Sequence, residues 1–382
     1  MTETEILNLL QEIPIVDNHC HPPHRRDIQT KEELKRYFTE SFDPRIVAGH
    51  VQHTLFYQQS LRDMASILEC RPEPQAIVAS RLELGLPRDF QRVVQRANIR
   101  DLVMDFGYQP EESYSLAEVN SSFAGQDCTV RYTLRLETRV EQLMLEHRAF
   151  DRFIEAYRSE VRDLKRKGVT PLKSVIAYRS GLDIRRANEE QAAVAFDLVQ
   201  AQVERDDGRI RVQSKPLLDF LVPLAMEAAA EQGVPFQFHT ALGDTDVDLL
   251  EANPLKLRPI LEDAAFRELP IVLLHCYPYL REAAYLSSMY GNVYFDLSMT
   301  IPLLSFTSSR ALEDALGVAP ASKLLYGSDA PGIVDYLWLG AVAWRRALAQ
   351  VLAGWTGRGM PKTEAMRIAT LVLFENGRKL YG

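Results

Sequence analysis

The sequence predicts a (β/α)8 TIM barrel. Eight short apolar runs recur along the chain, stretches of helical period separate them, and several runs end in a histidine or a carboxylate. Alternating strands and helices favour a parallel sheet with right-handed crossovers, and eight such units suggest a closed barrel. An open, doubly wound sheet is the alternative architecture.

The first run, Ile13 to Val16, leads into Asp17-Asn18-His19-Cys20-His21. Residues two apart on a strand share a face, so His19 and His21 can reach one ion from a single strand. Residues 22–98 are too long for one crossover and are mostly helical in pattern. They carry His24, His50 and His53, and read as a helical insertion or lid after strand one. The second run is Leu102-Val103-Met104, ending near Phe106, and the third is Val130 to Leu136. Leu143, Met144, Phe150, Phe153 and Ile154 line one helix face before Gly168. The fourth run, Leu172 to Ala177, opens Pro171-Leu172-Lys173, which puts Lys173 early unless the strand starts upstream. A helix face of Leu217, Leu218, Leu221, Val222 and Ala225 precedes Gly233 and the fifth run, Val234 to Phe238. Ile271–Leu274, Val293–Leu297 and Leu324–Tyr326 complete the set. Residues 332–382 read as helical, with Trp338, Trp344 and Leu348 as packing residues. No repeat, low-complexity tract or Gly/Ser linker marks a second domain, so 1–382 reads as one barrel domain.

Composition narrows the function class. The 382-residue chain is 46% hydrophobic and 25% charged, ordinary for a soluble globular protein. Its net charge of -8 gives no electrostatic reason to expect nucleic acid, and no apolar run approaches a membrane span. Cys20, Cys70, Cys128 and Cys276 form no CxxC pair or disulfide framework, and the acidic N-terminus lacks a signal-peptide core. The expectation is a cytoplasmic protein acting on a small-molecule substrate, with homo-oligomerisation left open.

Parallel strands in a barrel bring their C-terminal ends to one rim. There the sequence offers His19 and His21 on strand one, His239 after Phe238, His275 after Leu274, and Asp329 in Gly327-Ser328-Asp329. Each alone has a plainer reading: a strand-end histidine as a hydrogen-bonded core residue, Asp329 as a turn or helix cap. Together they form a nitrogen- and oxygen-rich set suited to zinc, manganese or iron. Cys20 and Cys276 neighbour proposed ligands, so alternation points them toward the helices. His24, His50, His53 and His147 lack strand-end positions.

This pattern resembles the amidohydrolase superfamily. The residues that carry the resemblance are His19-x-His21 after Asp17, Lys173, His239, His275 and Asp329, together with the ending Phe374-Glu375-Asn376-Gly377-Arg378-Lys379-Leu380-Tyr381. Within it the chain is similar to the amidohydrolase-related branch. Through Leu172-Lys173-Ser174-Val175-Ile176-Ala177-Tyr178-Arg179-Ser180-Gly181-Leu182, it resembles the domain that precedes a glutamine-synthetase-like domain in nodulin-type fusions.

The resemblance implies a metal-dependent hydrolase with one or two divalent ions, zinc foremost. In a two-ion site His19, His21 and Asp329 hold one ion and His239 and His275 the other, with carboxylated Lys173 as the bridge. In a one-ion site His19, His21, His239 and Asp329 are the ligands and His275 is an acid or orienting group. Lys173 is then a substrate contact or a structural ion-pair partner. Asp329 is the catalytic base, then acid. Arg179, Tyr178 and Arg135 are the expected substrate contacts, because rim arginines can clamp a carboxylate. The expected reaction is cleavage of an amide, ester or lactone bond in a small carboxylate-bearing substrate, a γ-glutamyl amide included. A metal-dependent decarboxylase and a non-catalytic interaction module are the alternatives.

Overall fold

The structure, a computed structural model, describes residues 1–123, 128–205 and 210–382. Eight parallel strands form one sheet in sequential order: β1 (Ile15–Cys20), β2 (Ile99–Asp105), β3 (Thr129–Arg135), β4 (Val169–Ser174), β5 (Phe236–Thr240), β6 (Ile271–His275), β7 (Val293–Asp296) and β8 (Leu324–Leu325). Chain beyond the short β8 closes the barrel. Asn18 N donates to Tyr326 O (2.9 Å), Asp329 N to His19 O (2.9 Å) and His21 N to Ala330 O (2.9 Å).

Alternation along the strands sorts two apolar layers. Leu102, Met104, Phe236, Phe238, Leu273 and their neighbours pack outward into the main core beneath the helices. Val16 and Val103 pack with Tyr381, and Val272, Leu274 and Leu325 pack with Leu380, so the C-terminal helix Asn376–Tyr381 supplies side chains to the lumen.

Each of the eight predicted strands forms, with shifted ends. β4 starts at Val169, three residues upstream of its apolar run, because Val169 and Thr170 join the sheet ahead of Pro171. Lys173 is therefore the penultimate residue of β4 and sits at the rim, a correction to the early placement suggested by Pro171-Leu172-Lys173. The 22–98 segment contains helices Lys31–Arg36, Pro44–Gly49, Leu55–Leu68, Pro74–Leu84 and Leu86–Arg96. Arg81 anchors this segment. It is buried, pairs with Asp27 (2.6 Å), and meets Asp335 at the start of the long helix Asp335–Gly357. Among the described residues, no helix is long and apolar enough to cross a membrane.

Candidate metal centre

The strand ends converge as the barrel geometry demands. His19 Nε2 and His21 Nε2 each lie 3.4 Å from Asp329 Oδ1, and His275 Nδ1 lies 3.3 Å from Asp329 Oδ2. The His239 ring centre lies 4.5 Å from that of His275 and 4.5 Å from that of Tyr178, with the rings tilted by 52° and 54°. Lys173 Nζ is 2.7 Å from His19 Nε2 and 3.3 Å from Asp105 Oδ2. Cys20 and Cys276 pack in the outer core and donate to backbone carbonyls of Val103 and Leu273.

Simple alternation does not explain every side chain. On β6, Val272 and Leu274 face the lumen, which would send His275 outward. His275 and Cys276 instead take left-handed backbone (φ 70° and 63°), and this turn brings the imidazole back to the rim. Asp329 is also left-handed (φ 53°), a conformation that aspartate tolerates better than most residues. Such strained positions gather at functional sites.

A buried network below the rim fixes these groups. Asp296 accepts from His275 N (2.7 Å), Ser298 Oγ (2.8 Å) and Asn18 Nδ2 (2.6 Å). Ser298 spends its single proton on Asp296, so its oxygen accepts from His275 Nδ1 at 2.9 Å. This assigns the Nδ1–H tautomer to His275 and leaves Nε2 with a free lone pair. Gln237 Nε2 donates to Asn18 O (2.9 Å) and to the Tyr381 hydroxyl (3.0 Å), and Tyr381 in turn bonds the Asn18 side chain.

Burial sets the charge states. It pushes His275 down to about 4, and pushes His19 and His239 well below the usual imidazole range, where neighbouring Lys173 and histidines add to the effect. Neutral imidazoles present the lone pairs that ligation requires. Burial would raise the Asp105 and Asp329 carboxyls. Arg135 and Lys173 outweigh it at Asp105, and the surrounding histidines outweigh it at Asp329, so both are held ionised. Lys173 is lowered by burial to about 8, against the pull of Asp105.

These residues fit a divalent ion. His19, His21 and Asp329 each offer an atom within 4.8 Å of the others. Ligands about 2.1 Å from a tetrahedral ion stand about 3.4 Å apart, and 3.4 Å is the spacing of both imidazoles from Asp329. His239 Nε2 is buried without a hydrogen-bond partner, as a waiting ligand atom would be.

Above the centre lies a cavity of about 320 Å³. Its wall includes Lys173, His239 and Asp329 together with all three expected substrate contacts. Arg135 is held by Asp105 through Nε (2.9 Å) and Nη2 (2.6 Å). The Tyr178 hydroxyl accepts from Asp244 N at 3.3 Å. Arg179 pairs with Glu141 at 3.2 Å through Nη2, while its Nε and Nη1 are buried without partners. Sequence reasoning missed Asp105, Glu40, Asp244 and Arg211. Asp105 carried the same strand-end signal as Asp329. Glu40 lies in the irregular chain after helix Lys31–Arg36, and Asp244 and Arg211 lie in loops, where no periodicity marks a side chain.

Comparison with known proteins agrees with this geometry. Residues 150–382 match the amidohydrolase family. Over 419 aligned positions the chain is 26% identical to Protein fluG of Emericella nidulans. The alignment takes in 100% of this chain and 47% of fluG, so the chain spans about half the length of this curated relative. A crystal structure from Lactobacillus casei ATCC 334, provisionally described as a metal-dependent hydrolase, matches with a TM-score of 0.87 at 28% identity, covering 98% of this chain and 97% of that one. Uronate isomerase of Thermotoga maritima shares the fold at a TM-score of 0.68 and 14% identity, over 100% and 97% of the two chains. A barrel with this rim, matched by the family's sequence pattern over most of its length, belongs to the amidohydrolase family.

Proposed function

We propose that this chain is a metal-dependent hydrolase that cleaves an amide bond, or a related ester or lactone bond, in a small carboxylate-bearing substrate. The observation that carries the reading is the shared cavity. His21 and Asp329 line its floor, with His19 buried directly against Asp329, and Arg179 lines the same space. The similarity to the Lactobacillus casei protein described as a metal-dependent hydrolase supports it.

A one-ion site, with zinc as the metal, fits best. His19, His21, His239 and Asp329 would hold it. A bridging carbamate requires a free neutral amine at Lys173. That amine instead is engaged on two sides, 3.3 Å from Asp105 Oδ2 and 2.7 Å from His19 Nε2. Lys173 therefore acts as an ion-pair partner of Asp105 beside the reacting centre.

The bound ion supplies water of lowered pKa and polarises the scissile carbonyl. Asp329 takes the proton from the attacking water as the O–C bond forms, then delivers it to the departing nitrogen as the C–N bond breaks. His275, its Nδ1–H donated to Ser298, is held with its ring against Asp329 and limits where that carboxylate can turn. Arg179, on the cavity wall, binds the substrate carboxylate in a charge-assisted contact.

The test is a screen of amides, esters and lactones of small dicarboxylic acids against zinc-loaded protein and its Asp329→Asn variant. Wild-type turnover that disappears in a folded variant is expected. Equal turnover in both would refute the role of Asp329, and no turnover with any carboxylate-bearing acyl compound would refute the substrate class.

A further inference from the structure

One side of the chamber is apolar. Phe38 and Phe56 come to it from the 22–98 segment, Met299 and Leu303 from the chain after β7, and Tyr336 from the chain after β8. These residues form a continuous surface. The Phe38 ring centre lies 5.2 Å from that of Phe56 and 5.7 Å from that of Tyr336, and the Phe56 and Tyr336 centres are 5.9 Å apart. The short helix Thr300–Leu304, which carries Leu303, packs against helix Leu55–Leu68, which bears Phe56, and against helix Asp335–Gly357, which bears Tyr336. The Tyr336 hydroxyl donates to the Tyr37 carbonyl, so its ring is what remains for the chamber.

This surface reaches the candidate metal centre. Met299 stands between two residues that hold His275: Ser298 Oγ accepts from its Nδ1 (2.9 Å), and Thr300 Oγ1 donates to its carbonyl (2.7 Å). Met299 also takes left-handed backbone (φ 56°), a conformation uncommon for any residue but glycine. Met299 and Leu303 are half-buried, so both keep thioether or methyl surface open to the chamber. Apolar surface held against water beside a reacting centre is what a ligand's own apolar group would cover. Strand order says which end of the ligand that is. β7 and β8 stand across the eight-stranded barrel from β3 and β4, beside whose ends lie Arg135, Tyr178 and Arg179. Asp329, the proposed donor to the departing nitrogen, follows β8 and so lies on the apolar side.

From this layout we infer that the wall of Phe38, Phe56, Met299, Leu303 and Tyr336 is a subsite for an apolar group on the departing nitrogen. The substrate is then an N-substituted amide with an alkyl or aryl amine half, and its hydrolysis releases a carboxylic acid and an apolar amine. The inference rests on the hydrolase reading for its scissile bond, but the apolar subsite is a matter of binding and is tested apart from turnover.

The experiment is calorimetric binding of levulinate, and of its analogue with a benzyl group on the terminal methyl carbon, to the zinc-loaded full chain. In both ketones a carbon stands where an amide has its nitrogen, so neither can be hydrolysed, and they differ only in the apolar tail. The benzyl ligand should bind at least about tenfold more tightly, the scale of burying one aromatic side chain. Met299→Asn, an exchange that left-handed backbone tolerates, and Leu303→Asn should each cut that ratio by about threefold or more, with levulinate affinity within about twofold of wild type. A benzyl ligand that binds no more tightly than levulinate, or a ratio unchanged in both variants, would overturn the inference. Hydrolysis of N-benzylsuccinamic acid against succinamic acid gives the second readout. Turnover of both at equal kcat/KM would leave the hydrolase intact and sink the placement of an apolar group on the departing nitrogen. A benzyl preference that the variants lose, with no turnover of either amide, would sustain the subsite and count against the hydrolase.

Discussion

At the scale of single residues, charge state carries the chemistry. Asp329 is ionised, bound on one oxygen side by His19 and His21 and on the other by His275. Asp329→Asn keeps the shape and removes the proposed base. Loss of a positioned base costs about 10²–10⁴ in rate, so kcat should fall by that factor, with circular dichroism unchanged. Arg179→Ala should raise KM by about 10–100-fold, the worth of a hydrogen bond to a charged group, with a smaller change in kcat. Burial on the cavity wall, with repulsion from Asp329 and Asp244, raises the Glu40 carboxyl to about 7.

At the scale of elements, the strands were readable and their ends less so. Eight apolar runs located all eight strands, because a buried parallel strand is apolar on both faces and needs no long-range information to recognise. Three details depended on tertiary structure. Pro171 suggested a strand start at β4, but Val169 and Thr170 pair ahead of it and shift Lys173 to the rim. Period-2 reasoning cannot foresee the left-handed turn that redirects His275. Glu40 and Asp244 face the cavity from irregular chain, where spacing carries no directional signal. The C-terminal helix is an element with a testable structural role. Tyr381 satisfies Gln237 and Asn18 in the lumen, and Asn18 holds Asp296 beneath His275. Tyr381→Phe leaves buried polar groups unpaired, so stability in a denaturant titration should fall by about 1–3 kcal/mol. A variant as stable as wild type would show that the network does not depend on the C-terminal helix.

At the scale of the whole molecule, the strand ends and the 22–98 segment build one chamber at the rim, while the C-terminal helix packs into the lumen. The candidate metal ligands were legible in the sequence because each lies at or just past a strand's C-terminal end, and the barrel topology gathers those ends regardless of their separation in the chain. The cavity wall was only half legible, since Arg179 lies beside a strand while Glu40 and Asp244 do not. Since an ion that binds only the folded state adds stability by mass action, removing it with a chelator should lower Tm, and zinc should restore it. The most direct measurement of the central claim is zinc stoichiometry by elemental analysis after chelation, resupply and desalting, on wild type and on the His19→Ala/His21→Ala variant. The account predicts one ion per folded wild-type chain and none in the variant. A folded wild type that retains no ion, or a variant that retains as much as wild type, would contradict it.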